Sequence, residues 1–184
     1  MNENQKKFIN LCSWSAVIAF ALRCFFSWDK IVAGTSLYEY FGIASEAVGI
    51  AALFVIGYEQ FLWRLNPLET MPKLAKKYTG KIKSSYDNSE RIATLTIKQT
   101  LLSVRVFMAT EESKSKSMVA SINDVLGDPQ LVYCYLNTPK SEHRDRSQIH
   151  YGTATLAVVN PECIDGQYYT DRKTTGDMFF VKEK

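Results

Sequence analysis

The sequence predicts a membrane protein in two parts: an N-terminal two-helix transmembrane hairpin, then a C-terminal all-β domain, an eight-stranded antiparallel barrel. Three observations lead there. Two apolar runs, residues 8–28 and 37–63, occupy the first third of the 184-residue chain. From Tyr78 onward the hydrophobic period shortens to two, the period of a strand with one buried face. Turn signals then recur at even spacing, and no long helix-period segment interrupts them.

A bilayer core about 30 Å thick takes roughly 20 apolar residues as helix, and both runs reach that length. The first is too long for the apolar core of a signal peptide. It closes on Phe25-Phe26-Ser27-Trp28, where a cleavage site would need small residues. Residues 29–36 suffice for a tight hairpin. Lys6 and Lys7 precede the first span, Arg64, Lys73, Lys76 and Lys77 follow the second, and Lys30 is the basic residue of the loop. The positive-inside rule therefore places both termini, and the barrel with them, on the cytoplasmic side of an inner membrane. Trp28, Tyr38 and Tyr40 fall at the outer boundary, and Tyr58, Phe61 and Trp63 at the inner one.

Ionisable residues inside a span are costly enough to require a reason. Glu39 and Glu46 bracket the depth of Arg23, so either can pair with it; snorkelling to the outer interface is the favoured expectation for Arg23 and Glu39. Glu46 lies deeper and shares a helical face with Gly42, Ser45, Gly49 and Ala52. Small residues let helices approach closely, within the hairpin or between copies of the chain. Glu46, Gly42, Ser45 and Gly49 are thus the candidate assembly residues, and membrane lipids are partners. The anchor is expected over residues 1–64, a short stiff connector with Pro67 and Pro72 over 65–77, and the barrel over 78–184.

Strands are expected over residues 78–86, 91–97, 101–109, 117–123, 131–138, 149–159, 163–170 and 178–182. Turns are expected at 87–89, 111–116, 127–129, 160–161 and 174–176, and a solvated charged loop at 140–146. Eight strands is the number at which a closed sheet is filled by side chains or holds one small ligand.

Catalytic signatures are missing. Cys12, Cys24, Cys134 and Cys163 have no metal or redox spacing and read as packing residues; His143 and His150 are too few for a zinc site or a relay. No phosphate-cradling glycine loop or nucleophile elbow occurs. The expectation is a binding module with no metal, no cofactor, no catalytic residue, and no DNA or RNA partner. Its ligand side chains are sought among Tyr133, Tyr151, Tyr168, Arg105, Arg172 and nearby threonines such as Thr170. Tyrosine offers a flat face to a base, and arginine a fork to a phosphate.

Two stretches carry a family resemblance. One is Pro72-Lys73-Leu74-Ala75-Lys76-Lys77-Tyr78-Thr79-Gly80, directly after the second span. The other is Gly166-Gln167-Tyr168-Tyr169-Thr170-Asp171-Arg172-Lys173-Thr174-Thr175-Gly176, near the C-terminus. With the two-span front and the overall length, they resemble the two-transmembrane, β-strand-rich effectors of bacterial cyclic-oligonucleotide-based antiphage signalling (CBASS). The resemblance implies a cytosolic barrel that receives a cyclic dinucleotide from a partner nucleotidyltransferase. It also implies that binding drives homo-oligomeric assembly of the helices, inner-membrane disruption and cell death. In the family-like hairpin, Arg172 is expected between Thr170 and Thr174 on one face of an extended chain, with Tyr168 on the same alternation. A membrane-tethered, lipocalin-like carrier of an apolar ligand is the competing reading, and a filled barrel that binds only a protein partner is a third.

Overall fold

A computed structural model of the chain describes residues 3–32, 34, 36–125 and 127–183. It divides into two units, Met1–Glu69 and Thr70–Lys184.

In the first unit, helix α1 (Glu3–Phe26) is followed by one turn of helix, α2 (Trp28–Val32), within the expected hairpin linker. Helix α3 (Leu37–Gln60) then packs against α1, and a 3-10 turn spans Leu62–Leu65. Segments Lys6–Phe26 and Leu37–Gln60 are long and apolar enough to cross a membrane. The buried stripe of α3 is Ile43, Ala47, Ala51 and Val55, spaced four apart, with two alanines that permit close approach. Trp14, Phe25 and Leu53 point outward, as on helices solvated by lipid. Gly42, Ser45 and Gly49 are exposed as well, and a Cβ at either glycine would meet open space.

For Arg23 the snorkelling expectation is corrected, in favour of the alternative pairing with Glu46. Arg23 Nε donates to Glu46 Oε2 across the two helices, and Arg23 Nη1 donates to Ser27 Oγ at 2.5 Å. The deeper carboxylate thus finds its cation inside the hairpin, which is less costly in a low-dielectric layer than leaving either charge alone. Glu39 lies at the start of α3 and accepts from the Ser36 backbone N–H at 3.1 Å.

In the second unit, the described residues form eight strands: β1 (Lys77–Ser84), β2 (Glu90–Gln99), β3 (Val104–Thr110), β4 (Ser113–Val125), β5 (Asp128–Pro139), β6 (His150–Asn160), β7 (Cys163–Thr170) and β8 (Thr175–Lys182). Each pairs antiparallel with the next, and β8 pairs back with β1, so the sheet is a closed barrel. Alternation carries Leu95, Ile97, Leu131, Tyr133, Leu156, Ile164 and Phe180 into a core where each is at most 2% exposed. Cys134, expected to pack, faces outward and contacts Thr153 Oγ1 at 3.4 Å. Strand limits also move: β1 ends at Ser84, two residues early, and β5 begins at Asp128, inside an expected turn. Residues 101–103 form the β2–β3 turn, tied by Thr100 N–H to Ser103 O at 2.8 Å. β4 begins at Ser113, inside an expected turn. The last turn is 171–174, so Thr175 and Gly176 are strand.

One end of the barrel is plugged by the segment that enters it. Leu74 is 1% exposed, and its N–H donates to Gln99 Oε1 at 3.0 Å. Gln99 Nε2 donates in turn to Pro72 O at 2.8 Å. Tyr78 Oη accepts from Ala75 N–H at 2.9 Å and donates to Pro161 O at 2.7 Å. Two side chains thus satisfy backbone groups of a stretch that belongs to no ladder. Replacing Gln99 by Ala should destabilise the barrel by about 2–3 kcal/mol, because it removes both hydrogen bonds that hold the entering segment. Urea unfolding of the detergent-solubilised protein, followed by its β-sheet circular dichroism, checks this; a change under about 0.5 kcal/mol, the usual range for surface substitutions, would show the plug to be held otherwise.

Candidate functional site

At the opposite end of the barrel lie the β1–β2, β3–β4, β5–β6 and β7–β8 turns, and here the inward-facing residues become polar. β1 runs from Tyr78 and Ile82 to Ser84, β3 from Val106 and Met108 to Thr110, and β5 from Leu131 and Tyr133 to Asn137. The result is an open mouth with a cavity of about 170 Å³. Its buried polar wall is organised: Ser115 Oγ donates to Asn137 Oδ1 at 2.8 Å, and the Thr170 and Thr174 hydroxyls are 2.6 Å apart. Tyr86, Tyr135 and Tyr168 supply phenol rings to the lining.

Charge is concentrated at the rim. Arg91, at the start of β2, binds Asp87 through both terminal nitrogens, at 3.3 and 2.5 Å, and donates from Nε to Glu112 Oε2 at 3.2 Å. Glu112 takes a second cation on its other oxygen, Arg146 Nη2 at 2.6 Å, and that nitrogen lies 3.2 Å from His143 Nδ1. Arg172 reaches the same cavity from the β7–β8 turn, donating from Nη1 to Ser147 Oγ at 3.2 Å. Among the described residues Arg172 has no carboxylate partner. Hydrogen bonds from Arg91 hold the Asp87 carboxyl far below the usual carboxylate range. For Glu112, partial burial pushes upward but is outweighed by Arg91 and Arg146, and its pKa is lowered. Burial raises the phenols of Tyr133 and Tyr135 above their ordinary range, which is itself well above neutrality.

Of the residues singled out in the sequence, the mouth gathers Arg172, Tyr168 and Thr170. Arg172 reaches it differently than expected. It sits in a tight turn, with Lys173 at φ +61° and Thr170 N–H bonded to Thr174 O at 2.9 Å, so it is not on an extended face. Tyr133 lies in the core, 1% exposed, its hydroxyl without a hydrogen-bond partner among the described residues. Arg105 and Tyr151 are on the outer wall, since each alternates with inward neighbours, Val104 and Val106 or His150 and Gly152. Residues 140–146, expected to be a solvated loop, form a 3-10 turn at Ser141–His143 and bring His143 and Arg146 to the mouth. Arg91, Glu112 and Arg146 were not legible as a group because 55 residues separate the first from the last. The signal available was an arginine at a strand start following Asp87 by four residues.

Residues 69–182 match the family model described as Cap15, cyclic dinucleotide receptor domain. The chain belongs to the Cap15 family. It is also 31% identical, over the full length of both chains, to CD-NTase-associated protein 15 of Staphylococcus schleiferi. The Cap15 family model therefore covers the barrel and the segment that plugs it, and the alignment to the relative extends through the two apolar helices. The resemblance to CBASS effectors read from the sequence is borne out.

Asp87 and Glu112 titrate lower in the folded barrel than in the unfolded chain. The stability they add is complete above the ordinary carboxylate pKa of about 4 and is lost as pH falls through their depressed values. Arg91→Ala removes the main cation from both. The gap in melting temperature between wild type and Arg91→Ala should therefore be widest at neutral pH and begin to narrow below about pH 4. A gap that stays constant from pH 7 to pH 3 would show that the network adds nothing pH-linked.

Proposed function

We propose that this protein is a two-pass inner-membrane effector of antiphage defence whose barrel mouth binds a cyclic dinucleotide, and that binding drives the helices of several copies to assemble and disrupt the membrane. The observation that carries this reading is the rim: Arg172, Arg91 and Arg146 around a half-polar cavity with tyrosine walls, in a chain of the Cap15 family. A cyclic dinucleotide carries two phosphates and two bases. Guanidinium forks suit the phosphates and phenol rings suit the base faces. Arg172 is the first candidate because no carboxylate must leave it before a phosphate arrives. Arg91 and Arg146 share Glu112, so their engagement requires that carboxylate to yield one of them. A carrier for an apolar ligand would be expected to line its mouth with fewer charges.

The charge pattern supports the topology. Lys6 and Lys7 before the first span and Arg64, Lys73, Lys76 and Lys77 after the second favour cytoplasmic termini and a cytoplasmic barrel. A ligand made in the cytoplasm would then reach the mouth directly, and the name of the Staphylococcus relative associates that protein with a nucleotidyltransferase of the kind that would supply it.

Assembly follows from binding only if the assembled state holds the ligand more tightly than the resting state. Moving such an equilibrium from 1:99 to 99:1 takes about 5.5 kcal/mol of differential affinity. Gly42, Ser45 and Gly49 face away from the hairpin's own buried stripe, which supports their use between copies. Glu46 already has Arg23 within its hairpin, so assembly would exchange or surround an existing ion pair.

Arg172→Ala should weaken cyclic dinucleotide binding about 10–100-fold, the loss expected for a charge-assisted contact, and leave the unliganded melting temperature nearly unchanged. Calorimetric titration of the full-length protein in detergent reads the first and a thermal scan the second; unfolding of the variant would instead make Arg172 a residue that shapes the last hairpin. Gly49→Leu should keep wild-type affinity while reducing ligand-dependent leakage of dye from proteoliposomes. Undiminished leakage would show that the small-residue strip only faces lipid.

A further inference from the structure

The inner wall of the mouth alternates large and small from strand to strand. Tyr135 on β5 stands opposite Gly152 on β6, and Tyr168 on β7 stands opposite Gly176 on β8. These pairs are in contact. A Cβ placed on Gly152 would overlap Cζ and the hydroxyl of Tyr135 and lie 2.9 Å from Cε2. The phenol therefore lies across the glycine, close against the barrel wall. At Gly176 a Cβ would overlap Cε1 of Tyr168 and lie 2.7 Å from Cζ, and it would also strike the Lys83 carbonyl. Gly80 and Gly166 differ: there a Cβ would run into the backbone of the adjoining strand, Phe179–Phe180 or Thr155–Leu156. Those two glycines serve strand crowding, whereas Gly152 serves a ring.

Carbon atoms settle at about 3.5–4.0 Å, so a methyl at position 152 would push Tyr135 Cε2 away by roughly 0.6 Å or more. The wall blocks retreat on one side, and the ring would swing into a cavity of about 170 Å³. Tyr135 is 4% exposed and its ring centroid is 5.8 Å from that of Tyr133, so little slack remains beneath it.

We propose that Gly152 is a specificity-determining position: by letting Tyr135 lie flat, it keeps the slot in which a nucleobase of the ligand stacks on the phenol. Gly176 does the same for Tyr168. The inference rests on the mouth being the cyclic dinucleotide site, and assigns the bases to the glycine-backed wall of β5–β8 and the phosphates to the rim arginines. Larger bases need the slot most, so the residue at 152 governs how well purine-bearing ligands are accepted.

The test is calorimetric titration of the full-length protein with cyclic dinucleotides carrying two purines, one of each base type, or two pyrimidines. Gly152→Ala should weaken the purine-bearing ligands about tenfold and the dipyrimidine ligand less, consistent with the worth of one stacked base. In a Tyr135→Leu background the same substitution should cost no further affinity, because it acts through the ring. If Gly152→Ala unfolds the barrel, the double variant with Tyr135→Leu should fold and bind as Tyr135→Leu alone does. Wild-type affinity in Gly152→Ala, or an equal loss in both backgrounds, overturns the inference while leaving the site intact. A wild-type protein that binds none of the panel overturns the proposed site and this inference with it.

Discussion

Return of β8 to β1 is the constraint on which the barrel depends. From Tyr78 opposite Lys182 to Ser84 opposite Gly176, the last strand supplies the first with its second hydrogen-bonding neighbour. An open sheet of the same strands would expose two rows of unpaired amides, ready to pair with another chain. Closure also fixes the interior width, which at eight strands leaves space for side chains or for one small ligand. Glycine is needed where two strands crowd, and a Cβ at Gly80 or Gly166 would collide with the adjoining backbone. The same closure makes two unlike ends. At one, Gln99 and Tyr78 hold the incoming segment over the core; at the other the polar residues of β1 to β7 converge with those of the connecting turns.

The two ends divide the work between stability and recognition. The apolar layers around Leu95, Leu131, Tyr133, Leu156 and Phe180 need no ligand to be complete, apart from one buried phenol hydroxyl. The rim is arranged in a different way. Its carboxylates are each claimed by arginine, which holds the long β5–β6 connection against the β3–β4 turn through Arg146 and Glu112. On the proposed reading an incoming phosphate competes with Glu112 for these guanidinium groups and finds Arg172 ready. Recognition then involves an exchange of ion pairs at the surface, where each is worth little, so the rim can rearrange without threatening the fold.

Strand alternation and the two apolar runs were legible because both are local and periodic, and the β7 limits, Cys163–Thr170, match the sequence reading residue for residue. What sequence alone could not supply was facing. Arg105 and Tyr151 have the residue types of a nucleotide site, yet the pleat turns them outward. Tyr135, one pleat repeat beyond Tyr133, is the one that reaches the mouth. For Arg23, depth left snorkelling and pairing with Glu39 or Glu46 open, because depth is visible in sequence and helix rotation is not; packing of α1 on α3 selects Glu46. Arg91 and Glu112 continue the β2–β3 register and Arg146 joins them from the β5–β6 connection, so the group appears only once strand pairing is known. The turn 171–174 was displaced in the reading because Gly176, a strand glycine that accommodates Tyr168, looks like a turn residue in one dimension.

The most direct test of the central claim, that the open polar end of the barrel is the cyclic dinucleotide site, is a structure of the full-length protein with saturating ligand. Density for the phosphates beside Arg172, with a base against Tyr135 or Tyr168, is the predicted result. Ligand found on the outer wall near Arg105 and Tyr151, or at the end closed by Leu74, with the mouth unchanged, would contradict it.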